Sequence, residues 1–179
     1  MGMLSTTYTK SGYLFDSIFY ISVIISGIIA LIMSEPAAMI LPIFVFTCMG
    51  LFTWTILEYF IHRFILHGNN RLQRAHMLHH DNPHELIAAP TLLGASLFLI
   101  VMYIPLLLLT NFWIATSITV GNIIGYVYYG WMHYAVHRQA PSGYFMKHRK
   151  KIHAKHHHKD NMKNFGVTSD LWDAWFKTN

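Results

Sequence analysis

Apolar residues gather into four long, nearly uninterrupted stretches. Leu14–Met33 carries one charge, Asp16, near its start; Met39–Leu66 stays apolar until Glu58; Thr91–Leu109 and Phe112–His137 contain no Asp, Glu, Lys or Arg. About 20 apolar residues cross the roughly 30 Å hydrocarbon layer, so all four stretches qualify as membrane helices. The pattern therefore predicts an all-α integral membrane bundle, one membrane domain over 1–179 with helices at about 14–33, 39–66, 91–109 and 112–137. Segments 67–90 and 138–179 lie outside the bilayer. The first stretch is too long for a cleaved signal peptide and lacks a small-residue cleavage site. The second and fourth would run roughly 42 Å and 39 Å at 1.5 Å per residue, so one end of each should project beyond the hydrocarbon. Those ends carry His62 and His67 on one helix, His133 and His137 on the other.

The basic residues orient the chain. Lys10 precedes the first helix, and Arg63, Arg71 and Arg74 sit at or after the end of the second. Arg138 and eight lysine or arginine residues from Lys147 to Lys177 follow the fourth. The opposite connections, 34–38 and 110–111, have none. The positive-inside rule puts both termini and the 67–90 loop in the cytoplasm. The net charge of +5 is then a topology signal with some attraction to anionic lipid, and nucleic acid is not an expected partner.

Composition agrees: 54% of the chain is hydrophobic and 12% charged, with mean hydropathy +0.35. That excludes a disordered chain and is far from the roughly 25% charge of soluble domains. A single cysteine excludes a disulfide framework and a Cys-rich zinc site. Ser22, Ser26 and Ala30 recur every fourth position, and Gly121 with Gly125 forms G-x-x-x-G; both allow close helix packing within one bundle in preference to dimerisation. Pro36, Pro42, Pro90 and Pro105 mark segment ends or kinks. Gly2 with Thr6 fits a myristoylation pattern, which a chain with four spans hardly needs.

Thirteen histidines change the picture. Ten fall into four clusters: His62 and His67, H-x4-H; His76, His79 and His80, H-x2-H-H; His133 and His137, H-x3-H; His153, His156 and His157, H-x2-H-H again. Every cluster lies at a cytoplasmic helix end or in a cytoplasmic segment. Residues i and i+4 of a helix are about 40° apart, so His133 and His137, His76 and His80, and His153 and His157 each share a face. His62 and His67 would be about 140° apart on a regular helix. They therefore serve different ions, or the helix loosens there. Ten imidazoles are too many for one ion and suit two with four or five each. A loose histidine tract or an interfacial anchor does not explain an H-x2-H-H that recurs across two membrane helices. His84, His148 and His158 fall outside the clusters and read as ordinary surface residues. Imidazole suits zinc, copper, iron and nickel. H-E-x-x-H, E-x-x-H, C-x-x-C, G-x-S-x-G and Rossmann glycine patterns are absent. A cytoplasm-facing metal cluster on an apolar bundle suits a lipid chain as substrate. Two redox metals facing an inert C–H bond point to oxygen activation.

The histidine pattern resembles the fatty acid hydroxylase/sterol desaturase superfamily of membrane di-iron enzymes, over roughly Leu57 to Phe176. Within it the chain looks most like the fatty acid 2-hydroxylases, through Glu58-Tyr-Phe-Ile-His-Arg-Phe-Ile-Leu-His67, Ala89-Pro-Thr-Leu92, Met132-His-Tyr-Ala-Val-His137, and Phe165-Gly-Val-Thr-Ser169 with Leu171-Trp-Asp173. The resemblance implies a four-helix membrane bundle with a cytosolic helical cap, about 67–90 and 138–179, holding two metals by the ten clustered histidines. It implies iron; the divalent affinity order, which places zinc above iron, lets zinc occupy the sites in a purified sample. It also implies dioxygen as co-substrate and hydroxylation at C2 of a long acyl chain, free or N-linked in a ceramide. The family pattern divides the ligands as His62, His76, His79, His133 and His153 against His67, His80, His137, His156 and His157. Eukaryotic 2-hydroxylases carry a fused cytochrome b5 domain with a His-Pro-Gly-Gly box, absent here. A separate electron donor is therefore expected, a cytochrome b5-like protein or a ferredoxin with its reductase. The expected location is a bacterial cytoplasmic membrane or the endoplasmic reticulum membrane. Competing readings are a sterol-type desaturase or methyl oxidase, a carotenoid hydroxylase, and a histidine-rich metal transporter. The transporter would need ionisable groups at mid-membrane, which stretches one, three and four lack.

Overall fold

The computed structural model describes residues 6–7, 10–88 and 90–179; Gly2 and Ala89 lie outside the described residues. The chain is all-α apart from a two-residue antiparallel ladder, β1 (Thr6–Thr7) against β2 (Ile87–Ala88). The helices are α1 (Lys10–Ser34), α2 (Ile40–Phe60, extended by wider turns over Ile61–Leu66) and α3 (Arg71–Asp81). Next come α4 (Thr91–Leu97) and α5 (Ile104–Leu109), joined through Phe98–Tyr103, then α6 (Phe112–Arg138), α7 (Gly143–His158) and α8 (Leu171–Trp175). Contacts gather these elements into two compact units.

One unit, Lys10–Trp54 with the chain from Pro90 to Val127, is a four-helix bundle. Small residues let its backbones approach. A Cβ on Gly121 would lie 2.1 Å from Thr47 O, and one on Gly50 would lie 2.1 Å from Ile118 O. Gly121 and Gly125 therefore pack within the chain, Gly125 against the Trp54 ring, as G-x-x-x-G spacing allows. Tyr20, Trp54, Phe98 and Tyr126 form an aromatic cluster with edge-to-face contacts of 4.8 Å (Tyr20–Tyr126) and 5.5 Å (Trp54–Tyr126). Asp16, the one acidic residue of α1, accepts a 2.6 Å bond from Thr91 Oγ1, which answers its desolvation. Pro105 cannot donate to the turn before it, and the wide turns over Phe98–Tyr103 absorb the defect without ending the helix.

Three helices among the described residues are long and apolar enough to cross a membrane: Lys10–Ser34, Ala37–Leu66 and Thr91–Leu109. Their apolar side chains, from Leu14 and Ile18 to Ile32 and from Leu99 to Leu109, are largely exposed, as a lipid-facing surface requires. α6 has the expected length, 27 residues, but not the apolarity of the other three. Its buried positions hold Thr116, Ser117, Thr119 and Asn122, with Asn122 Nδ2 donating to Thr53 Oγ1 and Ile118 O at 3.0 Å. A helix surrounded by helices can carry such groups where a lipid-facing one cannot.

The other unit contains Thr55–Ala88 and Tyr128–Asn179. The C-terminal segment is fastened to the end of α2. Trp172 Nε1 donates to Thr55 Oγ1 (2.9 Å), Tyr59 OH bonds Thr178 Oγ1 (3.1 Å), and the Tyr59 ring stacks on Phe176 at 5.2 Å. α3 starts where Asn70 Oδ1 accepts from Leu72 N and Gln73 N, an N-cap that its sequence supplies.

Candidate metal centre

Four helical segments of one unit bring all ten clustered histidines together: the end of α2, α3, the end of α6, and α7. The rings form two groups of five, His62, His67, His76, His80 and His156, and His79, His133, His137, His153 and His157. The candidate donor atoms of each group lie within 4.8 Å of one another. The groups adjoin, with His80 and His157 stacked at 4.0 Å.

His62 and His67 join the same group because the helix loosens. His67 N donates to His62 O at 3.0 Å, closing an i→i+5 turn within Ile61–Leu66. Such wide turns bring residues five apart onto one face and recur at functional sites. The pair thus lies in one group, the outcome that a loosened helix allows. The spatial grouping also differs from the expected division. That division parted His76 from His80, His133 from His137, and His153 from His157, whereas each i, i+4 pair stays in one group, as a shared helix face dictates. His79 and His156 point about 60° to 100° away from the members of those stripes, and each crosses to the other group.

Within the first group, Nε2–Nε2 separations are 3.0 Å for His62–His76, 3.1 Å for His67–His156, 3.1 Å for His67–His76 and 3.2 Å for His76–His80. In the second they are 2.8 Å for His137–His153 and 3.3 Å for His133–His137. Ligand nitrogens about 2.1 Å from one ion and at right angles would lie roughly 3 Å apart. The donor set therefore fits an ion in each group. Protonation states agree. Carbonyl oxygens only accept, so His62 donates from Nδ1 to Phe165 O, and His156 from Nδ1 to Lys163 O at 2.7 Å. Both rings then present a bare Nε2. In the second group both ring nitrogens of His79 and His157 are buried with no hydrogen-bond partner among the described residues. Buried polar atoms left in this way mark a place for a ligand.

Burial is the main force on these imidazoles. It pushes His67 and His79 down to about 4, with the nearby His156 adding repulsion, and His80 to about 3. His76, His153, His156 and His157 are pushed down by the same desolvation. At neutral pH these rings are uncharged, the form that binds metal.

His148 pairs with Asp170 (2.9 Å) at the surface, and His84 and His158 belong to neither group. The last two line a cavity of about 280 Å³ with Val136, Lys150 and Ala154, which reaches His137, His153 and His157. The histidine pattern gave no hint of the carbonyls of Lys163 and Phe165, or of the buried charges Glu58, Arg149 and Asp173 that hold the loop bearing them. The available signal was a lone acid, Glu58, inside an apolar run.

The profile of a family described as fatty acid hydroxylase matches residues 47–178. A dihydroceramide fatty acyl 2-hydroxylase of Arabidopsis thaliana is 36% identical over 139 residues, covering 72% of this chain and 58% of its own. The fatty acid 2-hydroxylase of Mus musculus is 31% identical over 159 residues, covering 82% and 41%. The solved structure of full-length scs7p, in which only the hydroxylase domain is visible, superposes with a TM-score of 0.82 at 28% identity. The match covers 96% of this chain and 67% of that one. The chain thus spans about three-fifths of the plant relative's length and two-fifths of the mouse relative's.

Proposed function

The chain belongs to the fatty acid hydroxylase family, and on that premise we propose that it is a membrane lipid hydroxylase. Its substrate is a long acyl chain, free or N-linked in a ceramide, hydroxylated at C2. The observation that carries this reading is the pair of adjoining five-imidazole groups with mutually facing nitrogens. His62, His67, His76, His80 and His156 hold one ion, and His79, His133, His137, His153 and His157 the other. Two iron ions bound there supply dioxygen activation for insertion of a hydroxyl into an unactivated C–H bond.

The chain's own residues prepare that chemistry. Burial keeps the imidazoles neutral, and the carbonyls of Phe165 and Lys163 hold the Nδ1 protons of His62 and His156, so that Nε2 faces inward. The Lys150 cavity gives a small reactant a route to the second group. Reducing equivalents come from a separate cytochrome b5-like protein or a ferredoxin with its reductase. Both termini and segment 67–90 face the cytoplasm, α6 crosses with the three apolar helices, and the membrane is a bacterial cytoplasmic membrane or the endoplasmic reticulum.

Lipid mass spectrometry of cells with and without the gene, supplied with a reductase, tests the reading. A new species 16 mass units heavier, hydroxylated at C2, is expected. A loss of 2 units would mean desaturation, and unchanged lipids would defeat the assignment.

A further inference from the structure

The loop 163–168 behind the first histidine group has almost every backbone group assigned. Four of its N–H groups go to two carboxylates. Asp173 Oδ1 accepts from Phe165 N (2.9 Å) and Oδ2 from Gly166 N (2.7 Å). Glu58 Oε1 accepts from Val167 N (2.6 Å) and Thr168 N (2.9 Å), while Oε2 accepts from Thr168 Oγ1 (2.5 Å). Two of its carbonyls go to one guanidinium: Arg149 Nη2 donates to Gly166 O (2.6 Å) and Nε to Val167 O (2.9 Å). Glu58, Arg149 and Asp173 are all buried, at 4%, 2% and 1% exposure. Ion-assisted hydrogen bonds of this kind are the strong ones.

Gly166 is required by the tightness of the turn, since a Cβ there would lie 1.8 Å from Ser169 O. Asn164, at φ 58°, adopts the left-handed conformation that asparagine tolerates, and its N–H donates to Thr178 O at 2.6 Å. The carbonyls left facing the histidines are those of Phe165, which takes His62 Nδ1, and Lys163, which takes His156 Nδ1.

The second group is built differently. Nδ1 of His79, His153 and His157 has no hydrogen-bond partner among the described residues. The cavity lined by Lys150 and His158 reaches His137, His153 and His157 of this group and none of the first. Partners on the far ring nitrogen fix tautomer and orientation, and losing one typically costs about 10- to 100-fold in metal affinity.

We propose that Glu58, Arg149 and Asp173 are positioning residues that aim the Phe165 and Lys163 carbonyls at His62 and His156, making the first group the tighter of two unequal metal sites and the second the exchangeable one. The inference rests on the reading that both groups hold metal. It goes further by ranking them and by giving three buried charges a role at one ion only.

Chelator-driven release of zinc from the zinc-loaded full chain in detergent micelles tests it. Two phases of one ion each are expected. His62→Ala should abolish the slow phase, and His157→Ala the fast one. Asp173→Asn preserves size but sets an amide NH2 against a backbone N–H of the loop, and should accelerate the slow phase about 10- to 100-fold while leaving the fast phase unchanged. Glu58→Gln keeps an acceptor for Val167 N and Thr168 N but loses the charge and the second acceptor, and should accelerate the slow phase alone, by less than Asp173→Asn. Thr168→Ala removes a single bond and should give a smaller acceleration of the slow phase alone, which serves if Asp173→Asn fails to fold. A single release phase, reversed assignment of the phases, or equal acceleration of both by Asp173→Asn overturns the inequality while leaving two metal sites. A chain that retains no zinc at all defeats the metal reading first and this inference with it.

Discussion

Substituting Gly121 by alanine probes a close backbone contact between α2 and α6. The new Cβ would meet Thr47 O at 2.1 Å, Leu51 N at 2.8 Å and Gly50 Cα at 3.0 Å. All three are backbone atoms, so no side-chain rotation relieves the clash. Recovering an ordinary 3.4 Å contact requires α2 and α6 to part by about 1.3 Å, beyond the gap at which roughly half of the dispersion attraction is already lost. Overpacking of this kind costs about 3 kcal/mol, offset by about 1 kcal/mol from the better helix propensity of alanine. A net loss of about 2 kcal/mol lowers Tm by roughly 4–8 °C for a chain of this size. Gly130 on the same helix is the control. A Cβ there meets nothing within 4 Å, so Gly130→Ala should be neutral or slightly stabilising. Thermal unfolding of both variants in one detergent measures the difference. Equal melting temperatures would show that the two backbones do not meet as described.

Other expectations follow from the site. His80→Ala and His157→Ala each remove one imidazole from a different group, so each should reduce bound metal from two ions toward one and cut lipid hydroxylation by orders of magnitude; near-normal turnover in both would refute the two-ion assignment. In the metal-free chain, His67 and His79 titrate near 4 in the fold and 6.5 when unfolded. The unfolded state thus binds more protons between those values, and stability should fall as pH drops from about 6.5 to 4. Unfolding followed across that window should show the slope, and a flat profile would contradict neutral buried rings. Asp16→Asn weakens an acceptor that ties α1 to Thr91. It should lower Tm by a few degrees without changing bound metal, measured on one preparation.

The apolar runs announced the long helices within a few residues, because membrane length and composition act locally. α6 was legible in extent but not in apolarity, since Thr116, Ser117 and Asn122 are hidden by neighbouring helices. The ten histidines were legible as a set. Their division followed from spacing more directly than from family pattern: every i, i+4 pair stays together, and only His79 and His156 cross over. The His62–His67 relation required knowing the local turn, which residue types do not disclose. The clamp around 163–168 was hidden because it runs through backbone carbonyls and amides, which every residue has, and because Glu58 lies more than 100 positions from Val167 and Thr168 in the chain.

The wide turn over Ile61–Leu66 amounts to one surplus residue threaded into α2. Removing one residue between the two histidines, such as exposed Ile65, would make them i and i+4 on an ordinarily wound helix and leave them on one face, whereas regular winding at the present length would part them by about 140°. At this point the alignment depends on pairing the count with the winding: six residues in wide turns and five in ordinary ones both serve, and only the longer stretch wound tightly would lose the ligand pair.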